Sequence, residues 1–173
     1  VVDSVGGGAC QIATTLYQAA LRAEVKITER KNHSMIVGYV QPSGDAAIAG
    51  DYKDIKVTNN RSTPIYVEAV TSGRNVTFTI WGKEDRSGDR TIEFVSEVIN
   101  ETPKGKTYKD DPSKPVGYVR KESDGHKGRV SKLWKVVKEN GVEVSRELVS
   151  SDTYRMADDI YIRGTRVDAP APT

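Results

Sequence analysis

The spacing of apolar and polar residues predicts one helix and a larger number of strands. Between Cys10 and Ala23, apolar side chains recur three and four residues apart, which is typical of an amphipathic helix; they are Ile12, Leu16, Ala19, Ala20 and Ala23. The pattern then changes to period two, first over residues 35–40 and again over 65–81, with a polar turn at 71–75. It predicts a short strand followed by a β-hairpin.

The second half of the chain contains only strand-like runs. These are short, rich in Val, Ile, Trp and Tyr, and cover residues 93–99, 129–138, 142–149 and 160–163. Asn140-Gly141 predicts a hairpin turn between the second and third runs, because this pair tolerates the positive φ angles of a type I′ turn. Residues 101–128 hold few large apolar groups, so we expect an extended ribbon or a long loop there.

Charge divides the chain into two segments and excludes one class of partner. Its 173 residues carry 26 Lys and Arg against 24 Asp and Glu, and this excess is too small and too dispersed to favour nucleic-acid binding. Residues 1–85 carry 18 charged groups and residues 86–173 carry 32. Together with the polar stretch 82–89, this shift predicts domains at 1–85 and 90–167, followed by a Pro-rich linker or tail at 168–173.

No apolar run approaches the roughly 18 residues that a membrane-spanning helix needs. The chain begins with Val rather than Met, which indicates a processed or excised fragment. We therefore expect membrane attachment only through a segment absent from this chain.

Cys10, the single cysteine, is the first candidate for chemistry. It follows Gly6-Gly7-Gly8 at the start of the predicted helix, where unpaired N–H groups and the helix dipole favour a thiolate nucleophile. Gly7 and Gly8 would lend N–H groups to an oxyanion. The alternative is that Cys10 is a small buried apolar residue.

A thiolate nucleophile needs a base, and His33 is the only histidine in the first segment. With Asp45 further along, the order Cys10, His33, Asp45 permits an oriented triad. The alternative is that His33 caps a strand and that Asp45 holds a turn through its side chain. The sequence lacks close ligand pairs such as Cys-x-x-Cys, so we expect no metal and no cofactor.

The glycine-cysteine segment resembles a known family. Gly6-Gly7-Gly8-Ala9-Cys10-Gln11-Ile12-Ala13-Thr14-Thr15-Leu16-Tyr17-Gln18-Ala19-Ala20 looks like the signature of VanW-family proteins. The resemblance continues through Thr28-Glu29-Arg30, His33-Ser34, Gly44-Asp45-Ala46, Asn59-Asn60 and Pro64-Ile65-Tyr66, over about residues 4–70. It departs from the family at Glu24, where glycine is usual, and at Ala13, where serine is common. An N-terminal part of the family domain is expected to be missing here.

Residues 90–167 resemble a G5 module. The resemblance rests on Gly117, Gly125, Gly128, Gly141 and Gly164 and on the closing Ile160-Tyr161-Ile162-Arg163-Gly164-Thr165. Such modules are extended β-ribbons on bacterial surface proteins, so the resemblance implies an extracellular or cell-envelope location in a Gram-positive bacterium. It also implies a peptidoglycan or N-acetylglucosamine-containing glycan as partner. The fold class expected is α+β, with a small helix-plus-antiparallel-sheet domain before an elongated, all-β G5 domain that forms an antiparallel ribbon.

Two functions follow from these observations. The first is a non-catalytic envelope protein, of the family associated with glycopeptide (vancomycin) resistance, that binds peptidoglycan or surface carbohydrate. The second is a cysteine-dependent amide hydrolase or acyl-transfer enzyme acting on cell-wall peptide, which has a fainter likeness to transglutaminase-like enzymes through Cys10, His33 and Asp45. Whether the protein is an enzyme stays open at this point, as does its oligomeric state.

Overall fold

A computed structural model describes residues 7–167, and these contain one helix and ten strands. The predicted linker at 168–173 lies outside the described residues. In chain order the elements are α1 (Ala9–Arg22), β1 (Lys26–Arg30), β2 (Ile55–Thr58), β3 (Tyr66–Ser72), β4 (Asn75–Trp81), β5 (Arg90–Thr102), β6 (Lys106–Pro115), β7 (Val119–Ser123), β8 (Gly128–Glu139), β9 (Val142–Tyr154) and β10 (Asp159–Arg166). The expectation of one helix and an otherwise β-rich chain is confirmed.

The chain divides into two compact units. The first comprises residues up to His33, residues 37–98 and residues 131–152. The second comprises residues 34–36, residues 99–130 and the chain from Thr153 onward. The first unit thus contains residues from both predicted domains. The domain boundary near residue 85 divides the sequence and not these compact units, so it stays a prediction.

Helix α1 confirms the predicted helix, but its buried face differs from the predicted stripe. The buried side chains are Ala13, Thr14, Tyr17, Ala20 and Leu21, whereas Ile12 is 48% exposed. The prediction was wrong because it counted only apolar residues. Thr14 and Tyr17 are buried, and their hydroxyls bond the carbonyl of Ala46 and the side chain of Ser150, so the buried face contains hydroxyls that a hydropathy pattern scores as polar.

Two antiparallel pairs of strands belong to the first unit. β1 pairs with β2, with a shift of register between Ile27 and Glu29. β3 and β4 form a hairpin from Tyr66↔Trp81 to Ser72↔Asn75, which confirms the hairpin predicted at 65–81. The strand predicted at 35–40 was wrong, because this stretch has no strand partner and folds as bends and loop. A period-two pattern of apolar residues does not by itself form a strand, because a strand also needs a neighbouring strand to pair with.

The longest strands form a three-stranded sheet in the order β5-β8-β9. Residues 140–141 connect β8 to β9, and both have positive φ: 50° at Asn140 and 80° at Gly141. The turn predicted from this dipeptide is therefore confirmed.

The second unit contains a sheet in the order β6-β10-β7. β10 pairs with β7 in the antiparallel sense but with β6 in the parallel sense, so the expectation of an antiparallel ribbon was wrong for that pair. Gly164 on β10 and Gly125 before β8 allow close approach of two backbones, since a Cβ at either position would collide with the carbonyl oxygen of Pro115 or Ala157. The long segment predicted as ribbon or loop thus contains two paired strands.

The core of the first unit joins the helix to residues far along the chain. Its fully buried members are Ala13, Tyr17, Leu21, Ala46 and Leu133. Phe94 and Val149 pack against them, so strands β5, β8 and β9 complete the core around α1. Within residues 7–167, no helix is long and apolar enough to cross a membrane.

Glu24 ends the helix in an unusual way. Its φ is 54°, in the left-handed region that favours glycine, which explains why glycine is usual at this position in the resembled family. In this chain the carboxylate forms ion pairs with Arg86, Arg90 and Lys135. Hydrogen bonding to Arg90 holds the pKa of Glu24 well below its usual 4.5 despite burial, and Lys135 and Arg86 act in the same direction.

We expect Glu24→Gln to destabilise the protein in a pH-dependent way. Because the folded-state pKa of Glu24 lies below the unfolded value, the carboxylate stabilises the fold fully above pH 4.5 and progressively less as the pH falls. At pH 7 the variant should lose about 1–3 kcal/mol in the free energy of urea unfolding. The difference from the parent should shrink towards pH 2.

Glu29→Gln provides the matched control. Glu29 forms an ion pair as Glu24 does, but with a single cation, Lys56, and at an exposed position. It should change stability little. A loss of equal size at pH 7 and pH 2 for Glu24→Gln would contradict the role of its charge.

Candidate functional site

A buried segment runs beside helix α1 without belonging to any sheet; it begins with a turn at residues 42–43, where Ser43 has a φ of 64°, and has no regular secondary structure over residues 44–48. Residues 42–47 are all buried, so their backbone N–H and C=O groups need partners within the protein. Part of that need is met by side chains of the helix. Thr14 Oγ1 donates to the carbonyl of Ala46 at 3.1 Å and accepts from its N–H at 3.0 Å.

The same arrangement repeats one turn away in each direction. Cys10 Sγ lies 3.4 Å from both the N–H and the carbonyl of Ile48, and Gln18 Nε2 donates to the carbonyl of Gly44 at 2.6 Å. Positions 10, 14 and 18 share one face of the helix, and positions 44, 46 and 48 share one side of an extended chain. We call these six residues the helix zipper; it fixes the segment against α1.

Alternate positions of this segment face Arg30 at the end of β1. Arg30 Nε donates to the carbonyl of Asp45 at 2.6 Å, and Nη2 donates to the Asp45 carboxylate at 3.0 Å and to the carbonyl of Ser43 at 3.3 Å. Nη1 donates to both oxygens of Asp152 at 2.7 Å. The guanidinium also lies over the ring of Tyr17, 5.2 Å from its centroid.

The Arg30 guanidinium stays charged in this site. Burial acts to lower its pKa, but the hydrogen bonds to Asp152 and the nearby negative groups raise the pKa above its usual value. Its side chain is 7% exposed, and those of Asp45 and Asp152 are 1% and 8% exposed. Arg30 is therefore a buried cation shared by two buried carboxylates.

Asp45 binds His33 through two groups. One carboxylate oxygen lies 2.6 Å from His33 Nδ1 and accepts the His33 backbone N–H at 2.7 Å. Because a carboxylate can only accept, Nδ1 carries the proton and Nε2 is the nitrogen left for chemistry. The structure therefore brings together two of the three predicted triad residues, with the histidine oriented by the carboxylate.

Cys10 lies in the first turn of α1 and is half-buried. The hydrogen bonds of its sulfur within the described chain both go to Ile48, so none joins it to His33. The Ile48 N–H can donate to a thiolate, whereas the Ile48 carbonyl can accept only from the protonated thiol. The sulfur thus lies in the first turn of α1, with one N–H donor and one carbonyl acceptor of Ile48 within reach.

Tyr39 links the surroundings of the cysteine to the His33–Asp45 pair. Its ring meets that of His33 edge to face, with centroids 6.3 Å apart. Burial raises the pKa of Tyr39, a hydrogen bond with Thr14 opposes this, and the nearby Cys10 and Asp45 side chains act in the same direction as burial. Tyr39 therefore lies within electrostatic reach of both Cys10 and Asp45.

Gly7 and Gly8 form an exposed turn before the helix. Gly8 is the N-cap residue with φ of −98°, and no atom of residues 7–167 lies within 4 Å of the point where a Cβ would stand. The glycine is thus not needed for backbone conformation or for packing here. Gly8 stands at the N-terminal end of α1, where the first N–H groups have no partner within the helix.

Sequence reasoning missed Arg30, Tyr39, Thr14 and Asp152. Arg30 belonged to a quoted motif but was given no role, and Tyr39 was assigned to a strand that does not exist. Asp152 follows Arg30 by 122 residues, and no local pattern connects them. Among residues 7–167 no group of three His, Cys, Asp or Glu side chains is arranged to hold a metal ion.

Two family models match the chain in sequence. The model described as VanW like protein matches residues 1–81, and the G5 domain model matches residues 95–166. A protein of Bacillus subtilis (strain 168), described as uncharacterized protein YoaR, is 33% identical over 82 residues, covering 47% of this chain and 27% of that protein. The chain therefore spans about a quarter of the length of this curated relative.

Two solved structures are similar to part of the chain. The G5 domain structure of an IgA1 protease is 25% identical, with a TM-score of 0.32, over 45% of this chain and 94% of that one. The crystal structure of HP0197-G5 is 20% identical, with a TM-score of 0.26, over 43% of this chain and 95% of that one.

Thr14→Val should destabilise the protein, because it removes the hydroxyl that bonds both backbone groups of Ala46 while keeping the shape of the side chain. Leaving two buried backbone groups without a partner should cost about 2–4 kcal/mol in the free energy of urea unfolding. Thr15→Val is the matched control on the same helix, since Thr15 bonds only the carbonyl of Gln11 at an exposed position.

The control should stay within about 0.5 kcal/mol of the parent. Equal stability of Thr14→Val and Thr15→Val would contradict the stabilising role of the helix zipper.

Proposed function

The chain carries a VanW-like segment followed by a G5 domain, and from this premise we propose that it is a bacterial cell-envelope protein with cysteine-dependent acyl-transfer activity on cell-wall peptide. The observation that carries the proposal is the His33–Asp45 pair. Its 2.6 Å contact fixes the imidazole beside the segment that Cys10 contacts. Orientation of a base by a buried carboxylate is what a thiol nucleophile requires.

The proposed reaction follows from the roles of these atoms. Cys10 Sγ attacks the carbonyl carbon of an amide while His33 Nε2 takes the thiol proton. The C–N bond then breaks, and the proton passes to the leaving amine, which leaves a thioester on Cys10. An acceptor amine or water attacks the thioester, and its proton returns through His33 to the sulfur.

Asp45 and the helix N-terminus have supporting roles in this reaction. Asp45 stays ionised and holds the imidazole through Nδ1. Unpaired N–H groups at Gly8 and in the neighbouring first turn would stabilise the oxyanion. Gly7 would shape the path by which the substrate carbonyl reaches these groups. In a free enzyme catalytic hydrogen bonds are often long, so the absence of a Cys10–His33 bond among the described residues does not oppose the proposal.

Cys10→Ala should abolish turnover of purified peptidoglycan, and His33→Ala should slow it about 100-fold or more, because the thiol then has no base. Liquid chromatography with mass spectrometry of digested peptidoglycan would measure new cross-links or released amines. His126→Ala is the matched control, since His126 is the only other histidine and lies in the second unit.

The His126 variant should turn over like the parent. Equal turnover by the parent and Cys10→Ala, or none by the parent, would contradict the proposal.

A second proposed function, retention on cell-wall carbohydrate, is supported by an aromatic surface in the second unit. Tyr108 on β6 and Tyr161 on β10 are register partners, and their rings stack with centroids 5.5 Å apart. Lys106, Lys121 and Arg163 lie over these two rings, and Tyr108 is 45% exposed. The exposed part of Tyr108, with the second ring and cationic groups beside it, supports packing against the C–H groups of an N-acetylglucosamine ring.

Tyr108→Ala should lower retention on insoluble peptidoglycan severalfold in a sedimentation assay, because it removes one ring of the stacked pair. Tyr52→Ala is the control, since Tyr52 is a 71% exposed tyrosine of the first unit. Equal retention of both variants would count against this surface.

A further inference from the structure

One member of the buried ion network lies far along the chain from the candidate site. Asp152 is near the end of β9, within the stretch that matches the G5 model. Its carboxylate accepts two hydrogen bonds from Arg30 at 2.7 Å and one from Ser150 Oγ at 3.1 Å. Both Arg30 and Asp152 belong to the first compact unit.

The net charge of this network determines how strongly Asp45 stabilises a protonated His33. Arg30 is shared between the carboxylates of Asp45 and Asp152, so the three groups together carry one net negative charge. Without Asp152, the guanidinium and Asp45 would form a neutral pair. Asp45 would then provide much less stabilisation for a protonated His33, because charges interact strongly at buried positions.

Geometry supports the same conclusion. Arg30 Nη1 is held by both carboxylate oxygens of Asp152, and the remaining N–H groups of the guanidinium bind the carbonyl and the carboxylate of Asp45. The opposite oxygen of Asp45 is the one that contacts His33. Asp152 is therefore connected through one guanidinium to the group that orients the imidazole.

We propose that Asp152 is a positioning residue of the Cys10–His33–Asp45 site, acting through Arg30, so that the G5-matching stretch completes the candidate active site. This inference rests on the proposed function. It assigns to the G5-matching stretch a role in the chemistry that is separate from binding to a surface.

The test uses the reactivity of Cys10, which is the only thiol of the chain and needs no substrate for its measurement. Iodoacetamide reacts with the thiolate, so its rate reports how well a protonated His33 stabilises the thiolate. Asp152→Asn in the full chain should slow alkylation about threefold to tenfold at pH 7 and leave the rate unchanged at pH 10, where an ordinary thiol is ionised. Glu24→Gln is the matched control.

Glu24 also joins the two sequence segments, through Arg90 and Lys135, but it does not contact Asp45. The Glu24 variant should therefore react like the parent at both pH values. A rate for Asp152→Asn equal to that of the parent at pH 7, or one lowered equally at pH 7 and pH 10, would overturn the inference.

His33→Gln separates this inference from the proposed function. Slower alkylation in His33→Gln with a parent-like rate in Asp152→Asn would overturn only the role of Asp152. A parent-like rate in His33→Gln would overturn the proposed function itself.

Asp152→Ser repeats the comparison if the asparagine variant does not fold, because a hydroxyl can accept from Arg30 without presenting an amide N–H to it. If Asp152→Asn and Asp152→Ser both unfold while Glu24→Gln stays folded, Asp152 contributes only to stability. That result would overturn its positioning role.

Discussion

The first unit depends on a buried stretch of irregular chain that is held largely by side chains and not by a β-sheet. Residues 42–47 are buried and need partners for their backbone groups. The helix zipper supplies partners on one side and Arg30 supplies them on the other. Because the side chain of Asp45 belongs to this stretch, its position follows from how the backbone is held. The helix, β1 and the candidate site are thus parts of one hydrogen-bonded arrangement.

The site contains buried charges, which oppose folding unless they are paired. Arg30, Asp45 and Asp152 satisfy one another through short hydrogen bonds, and removal of one member would leave another charge buried without its partner. Buried ion networks of this kind often add little to stability compared with an apolar core, and they occur frequently at functional sites.

Local signals predicted the parts of the fold that local contacts determine. The apolar period identified α1, the polar turn at 71–75 identified the β3–β4 hairpin, and Asn140-Gly141 identified the β8–β9 connection. The parallel pairing of β6 with β10 was missed, because the pairing of distant strands leaves no periodicity in either of them.

The candidate site was predictable only in part for the same reason. Cys10, His33 and Asp45 were proposed from residue type and order, and the structure joins the last two. Asp152 was not found, because a contact across 122 residues depends on the whole fold.

The central claim is that the thiol of Cys10 is the acylated group. The most direct measurement is peptide mapping by mass spectrometry of the chain after brief exposure to purified peptidoglycan fragments and acid quenching. The account predicts an acyl adduct on the peptide that contains Cys10, formed by the parent and much less by His33→Gln. Turnover of the fragments with Cys10 unmodified, or an adduct on another residue, would contradict it.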